Sequence, residues 1–376
     1  MHSERFRSLL TSQGPYGSVY FDNSHDTADA AAQIDLKWRG LRSDLERQGA
    51  GPELLRRLED AVTSERPSVG RGGRVVVANA QAVLVDEQFT RSDGAPQARF
   101  SELPYVLPAL AHGCERPGYL VVIVDHTGAD VEVHHGRPDG GAVTTVTVDG
   151  DGYPVHKAGR ADTPGYGDPQ SHTEENRAKN IRTVADQVAA LVDEEKPEAV
   201  FLVGEVRSRT DLVAELPDRV TELVEQLQVG ARHSGFDRQA LDETIDARLE
   251  QRQHHLDASV AQRFSAELSR HSGLATEGLP GVCAALREGA VETLILGDLG
   301  DATVVSTDDL ATIAPNPEVL SEQGGAPTHV LRADEALPMA AISIGADLIG
   351  MPGTYSPTDG VAAVLRYAPR QPAGVS

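Results

Sequence analysis

Tyr119-Leu120-Val121-Val122-Ile123-Val124-Asp125-His126-Thr127-Gly128-Ala129-Asp130-Val131-Glu132-Val133-His134 is the stretch on which the fold turns. Tyr119 to Asp125 is an apolar run of strand length and reads as a buried strand. His126-Thr127-Gly128 supplies a turn, and Ala129 to His135 then alternates apolar and polar, so the two runs form a hairpin. Val143 to Val148 adds a third strand. A helix from Thr173 to about Asp193 follows, with Ile181, Val184, Val188 and Leu191 on one face. Thr173 is its expected N-cap, ahead of acidic residues that suit the positive end of the helix dipole. Ala199 to Val203 is a short buried strand. Asp211 to Leu216, Arg219 to Leu227 and Phe236 to about Phe264 read as largely helical.

The chain on either side also mixes strands and helices. Toward the N-terminus, Gly17 to Phe21 is a β-rich run. A helix from Ala28 to about Gln48 carries Ile34, Trp38 and Leu41, and a second runs from Pro52 through Ala61. Arg74 to Ala78 and Ala82 to Val85 are strands, and Ser101 to Pro108 is an extended exit segment. Toward the C-terminus, Gly278 to Arg287 is a helix and Thr293 to Leu296 a strand followed by Gly297-Asp298-Leu299-Gly300. Asp334 to Ile344 is a helix and Gly360 to Tyr367 a last strand. The expected class is α/β and α+β multidomain, in three domains: 1–115, 116–258 and 259–376. No short-period repeat is present.

Composition bounds the function. A chain of 376 residues with 40% hydrophobic content has room for two or three cored domains. No apolar run approaches the ~20 residues that span a bilayer, and Met1 to Arg7 does not lead into a signal-peptide apolar region. Cys114 and Cys283 are far apart and imply neither a disulfide framework nor a zinc site. The expected setting is the reduced cytoplasm, with no membrane partner. A formal charge of −23 opposes broad nucleic-acid binding, so any contact with RNA requires local basic patches or protein partners.

The common catalytic motifs are missing: there is no Walker loop, G-x-G-x-x-G, H-E-x-x-H or G-x-S-x-G. His134-His135 and His254-His255 invite a metal reading, but neighbours on a strand point to opposite faces. Asp125 and Asp130 have the chemistry to hold magnesium in a nuclease, though no later acidic pair completes a set; the alternative is turn formation. Glu205-Val206-Arg207-Ser208-Arg209-Thr210 either sets two arginines beside phosphate or forms a solvated turn with internal ion pairs. The polar segment from Asp149 to about Ser171 is the most suggestive. Within it, Tyr153 to Arg160 and Pro164 to His172 combine cations, stacking rings and an amide, chemistry suited to irregular RNA.

Several of these stretches resemble the bacterial members of the archaeo-eukaryotic release factor and Pelota superfamily, most closely the actinobacterial Balon-type ribosome hibernation factors. The resemblance is carried by Gly14 to Asp22, Val124 to Val131, Gly152 to Lys157, Gly204 to Leu212, Ala333 to Pro338 and Asp359 to Tyr367, spanning nearly the whole chain. It implies an N-terminal domain facing the decoding site, an RNase H-like middle domain whose tip loop (about 150–172) reaches the peptidyl transferase centre, and a C-terminal domain like the kink-turn-binding ribosomal proteins. That last domain would face a translational GTPase, elongation factor Tu in the Balon branch. The implied partner is the ribosome, through 16S and 23S rRNA at the A site, with no cofactor or metal and a monomer off the ribosome.

One departure bears on chemistry. Catalytic release factors carry Gly-Gly-Gln at the tip of the middle domain. Here the matching region reads Gly165-Tyr166-Gly167-Asp168-Pro169-Gln170. Pro169 fixes φ and removes a backbone donor just before Gln170. The resemblance therefore implies a non-enzymatic A-site plug. The alternative is a rescue or release factor hydrolysing peptidyl-tRNA through Gln170. The residues implied for rRNA contact are Lys157, Arg160, Tyr166, Gln170, His172, Arg177 and Lys179, with Arg207 and Arg209 as weaker candidates.

Overall fold

In the computed structural model, which describes residues 6–24, 30–64, 72–89, 95–112, 117–135, 143–149, 169–228, 237–308, 312–351 and 356–368, the six side chains of Tyr119–Val124 are all buried. The first segment contains α1 (Arg7–Leu10), β1 (Tyr16–Asp22), α2 (Ala30–Arg47), α3 (Pro52–Ser64), β2 (Gly73–Ala78), β3 (Val83–Phe89), β4 (Gln97–Ser101) and α4 (Leu107–His112). The second contains β5 (Tyr119–Val124), β6 (Gly128–His134), β7 (Val143–Asp149), α5 (Pro169–Glu195), β8 (Ala199–Gly204), α6 (Val206–Glu215), α7 (Asp218–Thr221), β9 (Val224–Gln226) and α8 (Arg238–Ser269). The third contains β10 (Ala275–Glu277), α9 (Gly278–Arg287), β11 (Val291–Leu296), β12 (Thr303–Ser306), β13 (Ile313–Ala314), α10 (Pro317–Glu322), β14 (His329–Arg332), α11 (Ala333–Ser343), β15 (Asp347–Gly350) and β16 (Val361–Leu365). The chain is thus mixed α/β and α+β. It divides into two compact units, residues 115–251 and residues 1–114 with 252–376.

The unit of residues 115–251 is built on a five-stranded sheet of order β7-β6-β5-β8-β9. The β5–β6 and β6–β7 pairs are antiparallel, while β5–β8 and β8–β9 are parallel. This is the RNase H-like arrangement. Because β5 is central, both of its faces need cover. Leu120, Val122 and Val124 pack with Ile181, Val184 and Val188 of α5. Tyr119, Val121 and Ile123 face the other way, against Leu241, Ile245 and Leu249 of α8. The two-residue period of the strand divides one apolar run between two cores.

Three local expectations change in this unit. α5 begins at Pro169 rather than after a Thr173 cap; proline suits the first helical turn, where its missing N–H would have no partner. Arg219 to Leu227 is helical only over α7, after which Val224–Gln226 pairs with Val200–Leu202 as an edge strand. Val206 to Thr210 is the start of α6 rather than a turn.

In the other unit, the first segment forms an antiparallel sheet of order β3-β2-β1-β4. One face, with Val19, Phe21 and Val76, is covered by Ile34, Trp38 and Leu41 of α2 and by Leu54, Leu55 and Leu58 of α3. Tyr16, Tyr20, Val75 and Val77 point the other way, into a core shared with Ala336, Leu337 and Ala340 of α11 and Val361 and Ala363 of β16. The third segment folds as a four-stranded sheet of order β10-β16-β11-β15 and a small sheet of order β13-β12-β14. The first and third segments therefore share one interior. Polar groups reinforce the junction: Arg99 donates to Asp334 at 2.8 Å and Glu335 at 3.4 Å, and lies 3.6 Å over the Tyr105 ring. Burial, together with the neighbouring Asp334 charge, pushes the Glu335 carboxyl above its ordinary range, against the pull of Arg99. The expected extended exit at Ser101 to Pro108 instead ends β4 at Ser101 and starts α4 at Leu107.

Candidate functional site

The parallel strands β5 and β8 end side by side, and their C-terminal ends carry the residues that the sequence singled out. Asp125 is buried, and its Oδ1 accepts from the Thr127 backbone N–H at 2.7 Å, the Thr127 hydroxyl at 2.6 Å and the Gly128 N–H at 3.0 Å. This carboxylate closes the β5–β6 turn. Asp130 accepts from the Thr147 hydroxyl of β7 at 3.1 Å. Among the described residues, no three His, Cys, Asp or Glu side chains converge as a metal site.

Arg177 on α5 and Arg207 on α6 come together. The Arg177 guanidinium reaches Asp211 Oδ2 at 3.1 Å and the Ser208 hydroxyl at 3.4 Å. Arg207 lies 3.8 Å from Glu174 and 3.9 Å from Asp211. These groups rim a groove of about 310 Å³ floored by Ala178, Ile181 and Ala214. Both arginines already face carboxylates, so a phosphate at this groove would compete with Asp211 and Glu174 for them. Lys179 is exposed on α5. Arg209 is 6% exposed and donates to the Leu227 carbonyl at 2.8 Å, which ties α6 to the chain after β9. Its geometry is that of a framework residue. Gln170 and His172 belong to the first turns of α5. Lys157, Arg160 and Tyr166 lie outside the described residues.

The carboxylates Glu174 and Asp211 were not singled out from the sequence. The available signal was the four-residue spacing of Arg207 and Asp211, which places them on one helix face. Reading 205–210 as a turn concealed it.

Away from this groove, His134 and His135 point apart. His134 stacks on Tyr119 at 4.3 Å and pairs with Glu132 at 3.2 Å, while His135 meets Glu195 at 3.2 Å. Glu132 also receives Arg238 of α8. Burial alone would raise the Glu132 carboxyl, but the hydrogen bonds from His134 and Arg238 and the Arg238 charge outweigh it and bring it down to about 2. A carboxyl depressed on folding stabilises above its unfolded value and loses that contribution as pH falls toward its folded value. Glu132→Gln is therefore expected to cost about 1–3 kcal/mol at pH 7, the lower end reflecting the half-exposed Arg238 partner. The deficit should shrink between pH 4.5 and about 2. Urea melts at pH 7 and pH 3 check this, and a deficit of equal size at both would contradict it. His254 and His255 are exposed on α8.

A model of the bacterial archaeo-eukaryotic release factor family 2 matches residues 118–270. The chain is 47% identical over 368 residues to the uncharacterized protein Rv2629 of Mycobacterium tuberculosis strain H37Rv, covering 98% of this chain and 97% of the relative. The same figures hold for the uncharacterized protein MT2704 of strain CDC 1551. Among solved structures, it is similar to archaeal Pelota in a model of ribosome-bound Pelota and ABCE1, at 15% identity, 98% and 95% coverage and a TM-score of 0.41. It is also similar to Archaeoglobus fulgidus Pelota, at 12% identity, 96% and 91% coverage and a TM-score of 0.37.

Proposed function

The chain belongs to the archaeo-eukaryotic release factor superfamily, and from that premise we propose that it is a cytoplasmic ribosome hibernation factor that occupies the A site without hydrolysing peptidyl-tRNA. The observation that carries the reading is the RNase H-like unit. Between its β7 and α5 the sequence inserts a long polar segment with cations and aromatic rings but no Gly-Gly-Gln. A segment of that chemistry suits splayed bases and phosphates of 23S rRNA. The first segment is assigned to the decoding side, with 16S rRNA, and the third to elongation factor Tu. A net charge of −23 fits a factor that meets proteins over much of its surface and RNA only at restricted points. No helix among the described residues is long and apolar enough to cross a membrane.

Two measurements test the reading together. The purified chain should co-sediment with ribosomes from slow-growing cells at moderate salt, and it should release no peptide from peptidyl-tRNA. Loss of co-sedimentation would remove the ribosome from the proposal. Peptide release by the wild type that disappears in Gln170→Ala would replace the hibernation reading with rescue by hydrolysis.

A further inference from the structure

The N-terminal turns of α5 run ahead of the core that holds the rest of that helix. Apolar burial begins at Ile181, beside the buried Asn180, and repeats at Val184, Ala185, Val188 and Leu191. Before that point Glu174, Asn176, Ala178 and Lys179 are exposed. A helical stretch of this length, without an apolar face to bury, is marginal in water. Among its described residues, Arg177 and Glu174 make polar contacts with α6.

Asp211 is the centre of those contacts. Its Oδ2 is 3.1 Å from Arg177 and 3.9 Å from Arg207, and Arg207 in turn stands 3.8 Å from Glu174 on the extension. Asp211 is itself held in place, because Ser208 and Leu212 of the same helix are fully buried. Arg182 of α5 also pairs with Glu215 of α6 at 3.3 Å, but where the core already fixes α5.

We propose that Asp211, with Arg177, Arg207 and Glu174, forms an ionic latch that sets whether Pro169–Lys179 is helical and laid along α6. The latch acts on the direction from which the preceding chain enters α5. It stands on the two helices alone, independently of any ribosome partner. Because it is made of partly exposed charges, it opens as ionic strength rises; the Debye length falls from roughly 10 Å at 0.1 M salt to about 3 Å at 1 M. Apolar packing, by contrast, would be indifferent or strengthened.

Amide hydrogen exchange on the full chain, read in peptides covering 173–179 and 184–195, tests it. In low salt, Asp211→Ala should speed exchange in 173–179 roughly fivefold to tenfold, the size expected for two partly exposed ion pairs. Asp211→Glu should restore most of the protection. In the wild type, 1 M salt should reproduce the acceleration, and in Asp211→Ala it should add only the small further increment that screening the remaining Arg207–Glu174 pair allows. The 184–195 peptide should not change, and Arg182→Ala should leave 173–179 as in the wild type. Three results overturn the proposal: unchanged exchange in Asp211→Ala, wild-type exchange in 173–179 that ignores salt, or an equal acceleration from Arg182→Ala. Should Asp211→Ala unfold the whole unit, Glu174→Gln decides instead, since its exposed side chain lies on the extension. That variant should give a smaller acceleration confined to 173–179, and no acceleration would overturn the latch.

Discussion

Gly204→Ala is expected to prevent the five-stranded unit from folding. Gly204 ends β8 at φ +134, a conformation L side chains rarely adopt, opposite Val124 in the last rung of the β5–β8 ladder. A Cβ built there would lie 1.9 Å from the Val124 carbonyl oxygen. That oxygen is backbone of the central strand, whose side chains are packed on both faces, so it has nowhere to retreat. Strain and overlap together place the cost above about 4 kcal/mol, a range reached by few single substitutions. The check is amide protection in 119–124 and 199–204, which should be lost, together with the yield of soluble chain. Gly40→Ala is the control. Nothing lies within 4 Å of a Cβ at that helical position, so it should be neutral or stabilise by up to about 1 kcal/mol. A Gly204→Ala protein with wild-type protection would mean that the β5–β8 ladder does not close at this rung.

Asp86→Ala should be the next most damaging change, and Arg74→Met should be much milder. The Arg74 side chain is 1% exposed. Its Nε and Nη2 each donate to an Asp86 carboxylate oxygen at 2.7 Å, and Nη2 also donates to the Ala61 carbonyl at 3.1 Å. This bidentate pair ties β2 to β3 and to the end of α3. Removing the carboxylate takes the bidentate charged partner from a buried cation, a change whose cost reaches about 3–5 kcal/mol. Replacing the arginine with an apolar side chain of similar length removes the cation itself, and the freed aspartate turns to solvent. The charge left behind is then a carboxylate 29% exposed and open to hydration, not a fully buried cation, so this loss should be the smaller of the two. Denaturant melts should therefore rank Asp86→Ala as the less stable of the two variants. Equal losses would mean that the pair contributes by mutual attraction alone.

The elements that could be read from the sequence were those whose apolar pattern runs long enough to be periodic. Tyr119–Val124 declared a buried strand, and the spacing of Ile181, Val184 and Val188 declared the face of α5 before any partner was known. The elements that escaped owe their form to partners. Ile313–Ala314 is a strand because Val305 and Ser306 lie opposite it, and Val224–Gln226 because β8 offers an open edge. Two residues, or three, carry no period. Pro108 and Pro169 misled for a different reason: each sits in the opening turn of a helix, where proline is tolerated, and not in the extended chain it more often marks. Among the site residues, the burial of Arg209 could not be foreseen. Its partner is a backbone carbonyl at Leu227, a contact made only once β9 has paired. Arg177 and Arg207 were singled out as cations, but the carboxylates facing them come from the helix pairing of α5 and α6.

The interior shared by the first and third segments sets an order of events during synthesis. Phe6, Leu9, Tyr16 and Tyr20 leave the exit tunnel long before Leu337, Val361 and Ala363, the residues against which they are finally sheltered. The five-stranded unit is translated in between and has its own core to collapse around. The opening segment must meanwhile keep one greasy side of its sheet out of reach of neighbouring nascent chains. A message truncated after α8 would yield a product with a sound middle and an adhesive beginning, a natural client for chaperones and proteases.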